Sequence, residues 1–258
     1  MNCPLCTSDN TKKIGVLTKE FISETYQNEY QFNTGKLVTT DLDEYQCQHC
    51  SLKFWSPCTP ADGSFYSQLQ TFPWYYPGDK FEYDLVEDWI PADADVLEVG
   101  CGTGEFAKRL KTKRYVGLEF NFTATDGVKI LDQTVEQHSM DHKEYYDYVL
   151  SFQVIEHVDN PRSFVQAALN CLKPQGLLVL GIPADSSWLG HADGFGLNMP
   201  PHHVTKWPDS TIKKLDELFA MELRAFVSAP FSDSYALKFV KTPDQTRGDI
   251  VVASFRKN

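Results

Sequence analysis

The sequence predicts an α/β protein: a doubly wound, mostly parallel sheet preceded by a small cysteine-bearing module. Three observations predict it. From about residue 92 onward, short apolar runs alternate with amphipathic stretches, the pattern that builds βαβ units. One apolar run, Val96-Leu97-Glu98-Val99, leads straight into Gly100-Cys101-Gly102-Thr103-Gly104, with glycines at alternate positions. At the front, Cys3-x-x-Cys6 is matched by Cys47-x-x-Cys50.

The 258 residues allow one large α/β domain, or a domain of ordinary size with a small appendage. Hydrophobic content of 42% and charged content of 23% are those of a globular protein. No apolar run approaches the roughly 20 residues that span a bilayer, and Met1-Asn2-Cys3-Pro4 lacks the basic and apolar regions of a secretory signal, so a cytoplasmic location is expected. The formal net charge of −11 opposes a phosphate backbone and disfavours a long nucleic-acid substrate. It leaves room for a small anionic substrate such as a nucleotide sugar, which needs only one local cluster of donors.

The elements follow in order. Two residues between cysteines let both thiolates face one ion, and two such knuckles complete the S4 shell that Zn2+ prefers in structural sites. Cys3, Cys6, Cys47 and Cys50 are therefore the expected zinc ligands, with no position left open for catalysis. Residues 7–46 separate the knuckles, more than an ordinary ribbon has, so a hairpin insertion is expected, with strands over 13–17 and 37–40 and an irregular excursion between them. Cys58 reads as a small buried hydrophobe, or as a spare ligand. Pro57 and Pro60 set a boundary near residue 60. The expected organisation is a zinc-ribbon-like module over 1–60, a connecting segment over 61–91 and the α/β domain over 92–258.

Residues 64–77 carry too many aromatics for a free linker. They read as an inter-domain seam, with Tyr75 and Tyr76 as candidates for a lid. A helix is expected over 81–89. Strand 95–99, helix 104–111, strand 114–119, helix 123–132, a strand near 134–136, strand 146–151, helix 161–171, strand 177–182 and helix 209–219 follow. Two tandem strands, 223–228 and 250–255, suggest an antiparallel edge, with a charged hairpin-like insert between them.

Glycines at 100, 102 and 104 let a ligand press against the main chain. A dinucleotide fingerprint needs its third glycine at 105, where Glu105 stands, which weakens NAD or FAD. Glu98, the G-x-G-x-G turn and Phe106 resemble the first motif of class I S-adenosylmethionine-dependent methyltransferases. The resemblance implies a seven-stranded Rossmann-like methyltransferase sheet and a cofactor contact from Glu98, Gly100, Cys101, Gly102, Gly104 and Phe106. Independently, Glu119 ends the second strand beside the glycine turn, where a carboxylate can accept hydrogen bonds from both ribose hydroxyls; Phe120 adjoins it and Asn121 could assist.

The stretch from Thr134 to Val158 resembles ubiquinone-biosynthesis O-methyltransferases. By that resemblance Val135 and Glu136 border the adenine, Phe152 and Gln153 lie at the methionine end, and His157 is either a general base or structural. Lys173-Pro174-Gln175-Gly176 is similar to the family's Lys-Pro-Gly-Gly turn, with Gln175 in place of glycine, a mild change if φ there is negative. Asn198 to Trp207, with Pro200-Pro201-His202-His203, resembles a stretch in a zinc-knuckle-bearing branch of these methyltransferases.

A histidine near pKa 6.5 can take a proton as an acceptor attacks the methyl group. His203 is the first candidate for that base, then His202. His191, His202 and His203 are a second possible metal site. The implied activity is methyl transfer from S-adenosylmethionine to a small-molecule or sugar acceptor, nucleotide-linked or glycan acceptors included. Two alternatives remain: an RNA methyltransferase that grips RNA through the zinc module, and a non-enzymatic zinc-binding interaction protein. Nothing in the sequence reads out the oligomeric state.

Overall fold

The computed structural model describes residues 1–75, 78–112, 114–120, 127–185, 196–229 and 250–258. Two sheets organise them. In the front sheet, β1 (Thr11–Leu17), β2 (Leu42–Cys47) and β3 (Lys53–Ser56) run antiparallel, and the two-residue β9 (Thr205–Lys206) pairs with β3. A segment from late in the chain thus completes the N-terminal sheet.

The larger sheet is seven-stranded. At its centre β4 (Asp95–Val99) lies between β5 (Arg114–Leu118) and β7 (Tyr146–Phe152), all parallel. Beyond β5 comes β6 (Ile130–Leu131), and beyond β7 comes β8 (Leu172–Pro183), both still parallel. The far side is antiparallel: β11 (Ile250–Lys257) pairs with β8, and β10 (Met221–Ser228) with β11. The order β10-β11-β8-β7-β4-β5-β6 reverses at β4/β7, and the crevice outside the carboxyl ends of the strands at such a switch point is where open α/β sheets bind ligands.

Local chemistry explains the helices. Asn160 accepts from Ser163 N at 3.0 Å and Pro161 opens α6 (Pro161–Cys171), whose Phe164, Val165, Ala168 and Cys171 make one buried face. Thr134 and Gln137 form a reciprocal capping box at α5 (Val135–Asp141). That cap explains why the strand expected at 134–136 is instead the first turn of a helix, and the sheet takes Ile130–Leu131 in its place. The helix expected over 123–132 gives way to a turn and β6 where the chain is described; residues 121–126, with Asn121, lie outside the described residues.

Three further expectations are corrected. The excursion contains α1 (Lys19–Tyr30), capped by Thr18 and burying Ile22 and Tyr26. No strand forms over 37–40: residues 35–37 are a turn, with Leu37 N and Val38 N both donating to Thr34 O, and the chain then runs irregularly to β2. Gln175 has φ 66°, so the condition for a mild substitution is not met. The remaining helices are α2 (Gly63–Leu69), α3 (Phe81–Val86), α4 (Glu105–Arg109), α7 (Asp209–Lys213) and α8 (Leu215–Phe219), the last two dividing the expected 209–219 helix at Lys214. The charged insert at 230–249 and residues 186–195, with His191, lie outside the described residues.

One apolar cluster runs from Leu5 and Leu52 beside the cysteine knuckles and Phe54 in β3 through Leu97, Val149 and Phe164 to Trp207 and Phe255. Thr211 Oγ1 donates to Cys50 O at 2.8 Å, and Arg162 donates to Leu5 O at 3.2 Å. A second cluster packs Ile22, Tyr26, Phe32, Trp55 and Phe65 against Leu197 and Met199.

Candidate active site

The turn after β4 holds Gly100 at φ 73°, and a Cβ there would sit 2.3 Å from Val154 Cγ2. Only glycine keeps both that backbone angle and that clearance. Beside it, at the end of β5, Glu119 accepts from Gly102 N at 2.9 Å and from Phe120 N at 2.8 Å. These bonds clamp the carboxyl across the ends of two strands while each oxygen keeps a lone pair for a ligand. Burial raises its pKa above the ordinary carboxylate range.

A cavity of about 970 Å³ opens here, at the upper end of the size of small-molecule sites. Gly100, Glu119 and Phe120 line it, together with Val135 and Glu136 from the start of α5 and Phe152 and Gln153 at the end of β7. Gln153 holds φ 59°, its Nε2 donating to Glu82 Oε1 at 3.1 Å. The other proposed cofactor contacts lie behind this surface. Glu98 is buried, with Tyr115 donating its hydroxyl to it, and its pKa is pushed up to about 7 by burial. Phe106 is wholly buried, 4.9 Å from the Tyr83 ring and 5.4 Å from that of Phe152. Cys101 is buried over Gly117, and Gly102 and Gly104 shape the turn itself.

Three histidines line the same cavity. His157, on a single helical turn after β7, donates Nδ1–H to His202 O at 2.8 Å. His202 donates Nδ1–H to Leu197 O at 2.9 Å, and His203 Nδ1 lies 3.1 Å from Asn198 Oδ1. Each Nδ1 bond leaves the lone pair on Nε2. Burial keeps all three imidazoles neutral, with His157 lowered to about 4. Glu156 is 1% exposed, lines the same cavity, and has its pKa pushed up to about 8 by burial. Tyr66 packs edge-on against His157, and Tyr75 OH lies 3.2 Å from His202 Nε2. The aromatic segment is thus a wall of the cavity; Tyr76 lies outside the described residues.

Away from the cavity, the four paired cysteines meet. Cys3 Sγ lies 3.6 Å from Cys50 Sγ, and Cys6 Sγ 3.5 Å from Cys47 Sγ, all four within 4.8 Å. The two turns are matched: Thr7 N donates to Cys3 O as Ser51 N does to Cys47 O, and Cys3 N to Ser8 O as Cys47 N to Leu52 O. Four sulfurs about 3.8 Å apart are what tetrahedral Zn–S bonds of about 2.3 Å require, so this donor set fits zinc. Cys58 packs with the second apolar cluster instead.

A family model described as a methyltransferase domain matches residues 78–221. The chain belongs to that family. Its curated relatives include the ubiquinone biosynthesis O-methyltransferase of Yersinia enterocolitica, 32% identical over 110 residues, 38% of this chain and 46% of that protein. The Salmonella paratyphi A enzyme of the same name is 30% identical over 148 residues, 46% of this chain and 61% of that protein. The chain thus spans about half the length of these relatives.

Among solved structures, a methyltransferase of Archaeoglobus fulgidus superposes with a TM-score of 0.55 at 16% identity, covering 76% of this chain and all of that one. A Thermotoga maritima methyltransferase, described as a possible histamine N-methyltransferase, gives 0.54 at 23% identity, covering 69% and 88%. These identities show a shared fold. The matched residues 78–221 carry β4 to β8 of the seven-stranded sheet. No helix among the described residues is long and apolar enough to cross a membrane.

Sequence reasoning missed Asn198 and the buried Glu82. Asn198 supports a histidine five residues on, and Glu82 lies on an otherwise ordinary helix, so neither carries a local signature.

Proposed function

We propose that the protein transfers a methyl group from S-adenosylmethionine to a small-molecule or sugar acceptor. One observation carries the reading: the glycine turn with its clamped carboxylate and the wall of neutral histidines open into the same cavity. Glu119 receives the ribose hydroxyls, Phe120, Val135 and Glu136 border the adenine, and Phe152 and Gln153 flank the methionine end. Glu98, Cys101, Gly102, Gly104 and Phe106 hold that cradle from behind. The acceptor's lone pair forms the bond to the methyl carbon as the C–S bond breaks onto sulfur, so the protein's work is to align the partners and exclude water. The acceptor's proton passes to an imidazole, His203 before His202 or His157, because all three line the cavity with Nδ1 already hydrogen-bonded and Nε2 left to accept.

The relatives' name makes an oxygen acceptor the first class to assay. The net charge of −11 argues against RNA. The four cysteines are proposed to hold a structural Zn2+ that fixes the front sheet and, through β3 and β9, the segment carrying His203.

Calorimetry against S-adenosylhomocysteine, with NAD as control, tests the cofactor. Micromolar heat with the first alone supports the reading; silence with both overturns it.

A further inference from the structure

The histidine wall contains a contradiction that a lone general base does not resolve. Glu156 is buried, and among the described residues neither of its carboxyl oxygens has a hydrogen-bond partner. Its Oε1 lies 3.7 Å from His157 Nε2 and 4.0 Å from His203 Nε2, too far for a shared proton to bridge as a hydrogen bond. Both nitrogens carry lone pairs, because both Nδ1 positions face oxygen acceptors. A buried carboxyl without a partner thus faces two imidazole nitrogens whose lone pairs have no donor within hydrogen-bond distance on it, an arrangement that costs free energy and that a cation held between them would relieve.

We propose that Glu156, His157, His202 and His203 bind a divalent transition-metal ion at the acceptor end of the cavity. The three imidazole ligand atoms lie within 4.8 Å of one another. Tetrahedral bonds of about 2.1 Å need donors about 3.4 Å apart, so the three imidazoles must draw together, and Glu156 Oε1, 3.7 Å from His157 Nε2 and 4.0 Å from His203 Nε2, must follow them. Tyr75 OH, now 3.2 Å from His202 Nε2, yields that lone pair. The second shell is already built: each histidine anchors its Nδ1 on an oxygen, as ligating histidines do to fix tautomer and orientation. Three nitrogens and a carboxylate select a borderline ion such as Zn2+, Fe2+ or Co2+ over Mg2+ or Ca2+.

This deepens the proposed function and rests on it only for the consequence: the acceptor is a hydroxyl compound that binds the ion through oxygen. With their lone pairs on the ion, the imidazoles would pass the base role given them above to it: a bound hydroxyl would have its pKa lowered and lose its proton to solvent as it binds, before the cavity is dry, and its oxygen pair would then attack the methyl carbon as the C–S pair returns to sulfur.

The test uses the full chain, stripped with a mild chelator that leaves thiolate-bound zinc, then titrated with Co2+. One equivalent should bind with weak visible d–d bands and no thiolate charge-transfer absorption. Glu156→Gln and His203→Gln should weaken that binding about tenfold or more, whereas His142→Ala, outside the cluster, should not. Absence of this cobalt signal in the unmodified protein overturns the inference whether or not the variants fold, and so does equal binding by folded Glu156→Gln. Metal bound without S-adenosylhomocysteine affinity would instead sink the methyl-transfer reading and leave the site standing.

Discussion

Glu119 holds two backbone donors on one carboxyl group, and the proposed function asks the same group to receive a ribose. Glu119→Ala removes an acceptor from Gly102 N and Phe120 N, at about 1 kcal/mol per bond, so the fold survives with melting lowered by a few degrees. S-adenosylhomocysteine affinity should fall by about tenfold or more in calorimetry, and unchanged affinity would refute the ribose assignment. Glu98 offers a test of stability against pH. Burial raises its folded pKa from 4.5 to about 7, so between those values the folded state holds a proton that the unfolded chain releases. Its contribution is fully present below pH 4.5 and is lost as pH rises through about 7, by at most about 3 kcal/mol. In urea melts at pH 5 and pH 8, Glu98→Gln should therefore gain stability relative to the natural chain at the higher pH; a difference independent of pH would show that Glu98 does not titrate there.

At the scale of elements, the front sheet owes its geometry to the two knuckles and its fourth strand to residues 205–206. If zinc joins the knuckles, Cys47→Ser should release the metal and lower the melting temperature together. Because β9 follows His203 directly, the same variant should lose activity even though no cysteine touches the cavity. Metal analysis beside calorimetric melting checks this, and a metal-free protein with unchanged melting would contradict it. Elements were legible where their signals are contiguous: β4 as an apolar run, and α6 by its cap, proline and buried face. The helix α1 was hidden because its mean sequence is polar and only Ile22 and Tyr26 are buried. The first turn of α5 resembled a strand because Thr134 and Val135 favour β structure until the cap with Gln137 is counted.

At the scale of the molecule, the front module and the α/β sheet share one apolar core. A chain beginning after residue 60 would expose the surface that Leu5, Leu52 and Phe54 cover. It should aggregate or bind a hydrophobic dye strongly, whereas a well-folded truncated protein would show that the shared core is dispensable. The cavity lies at the reversal of strand order, and its far wall is assembled from the aromatic segment, the turn after β7 and the stretch from Leu197 to His203.

The sequence by itself determined the glycine turn with Glu119 beside it, the pairing of the four cysteines and the doubly wound sheet. Each is written in contiguous residues, as glycine spacing, knuckle spacing or hydrophobic period. Only the tertiary structure decided that Glu98 stands behind the cradle rather than in it, and that Glu156 and His157 meet His202 and His203. The hydrogen bond joining His157 to His202 O spans 45 positions. No local spacing encodes such a contact, because it forms only when β7, β9 and the front sheet are packed on one core.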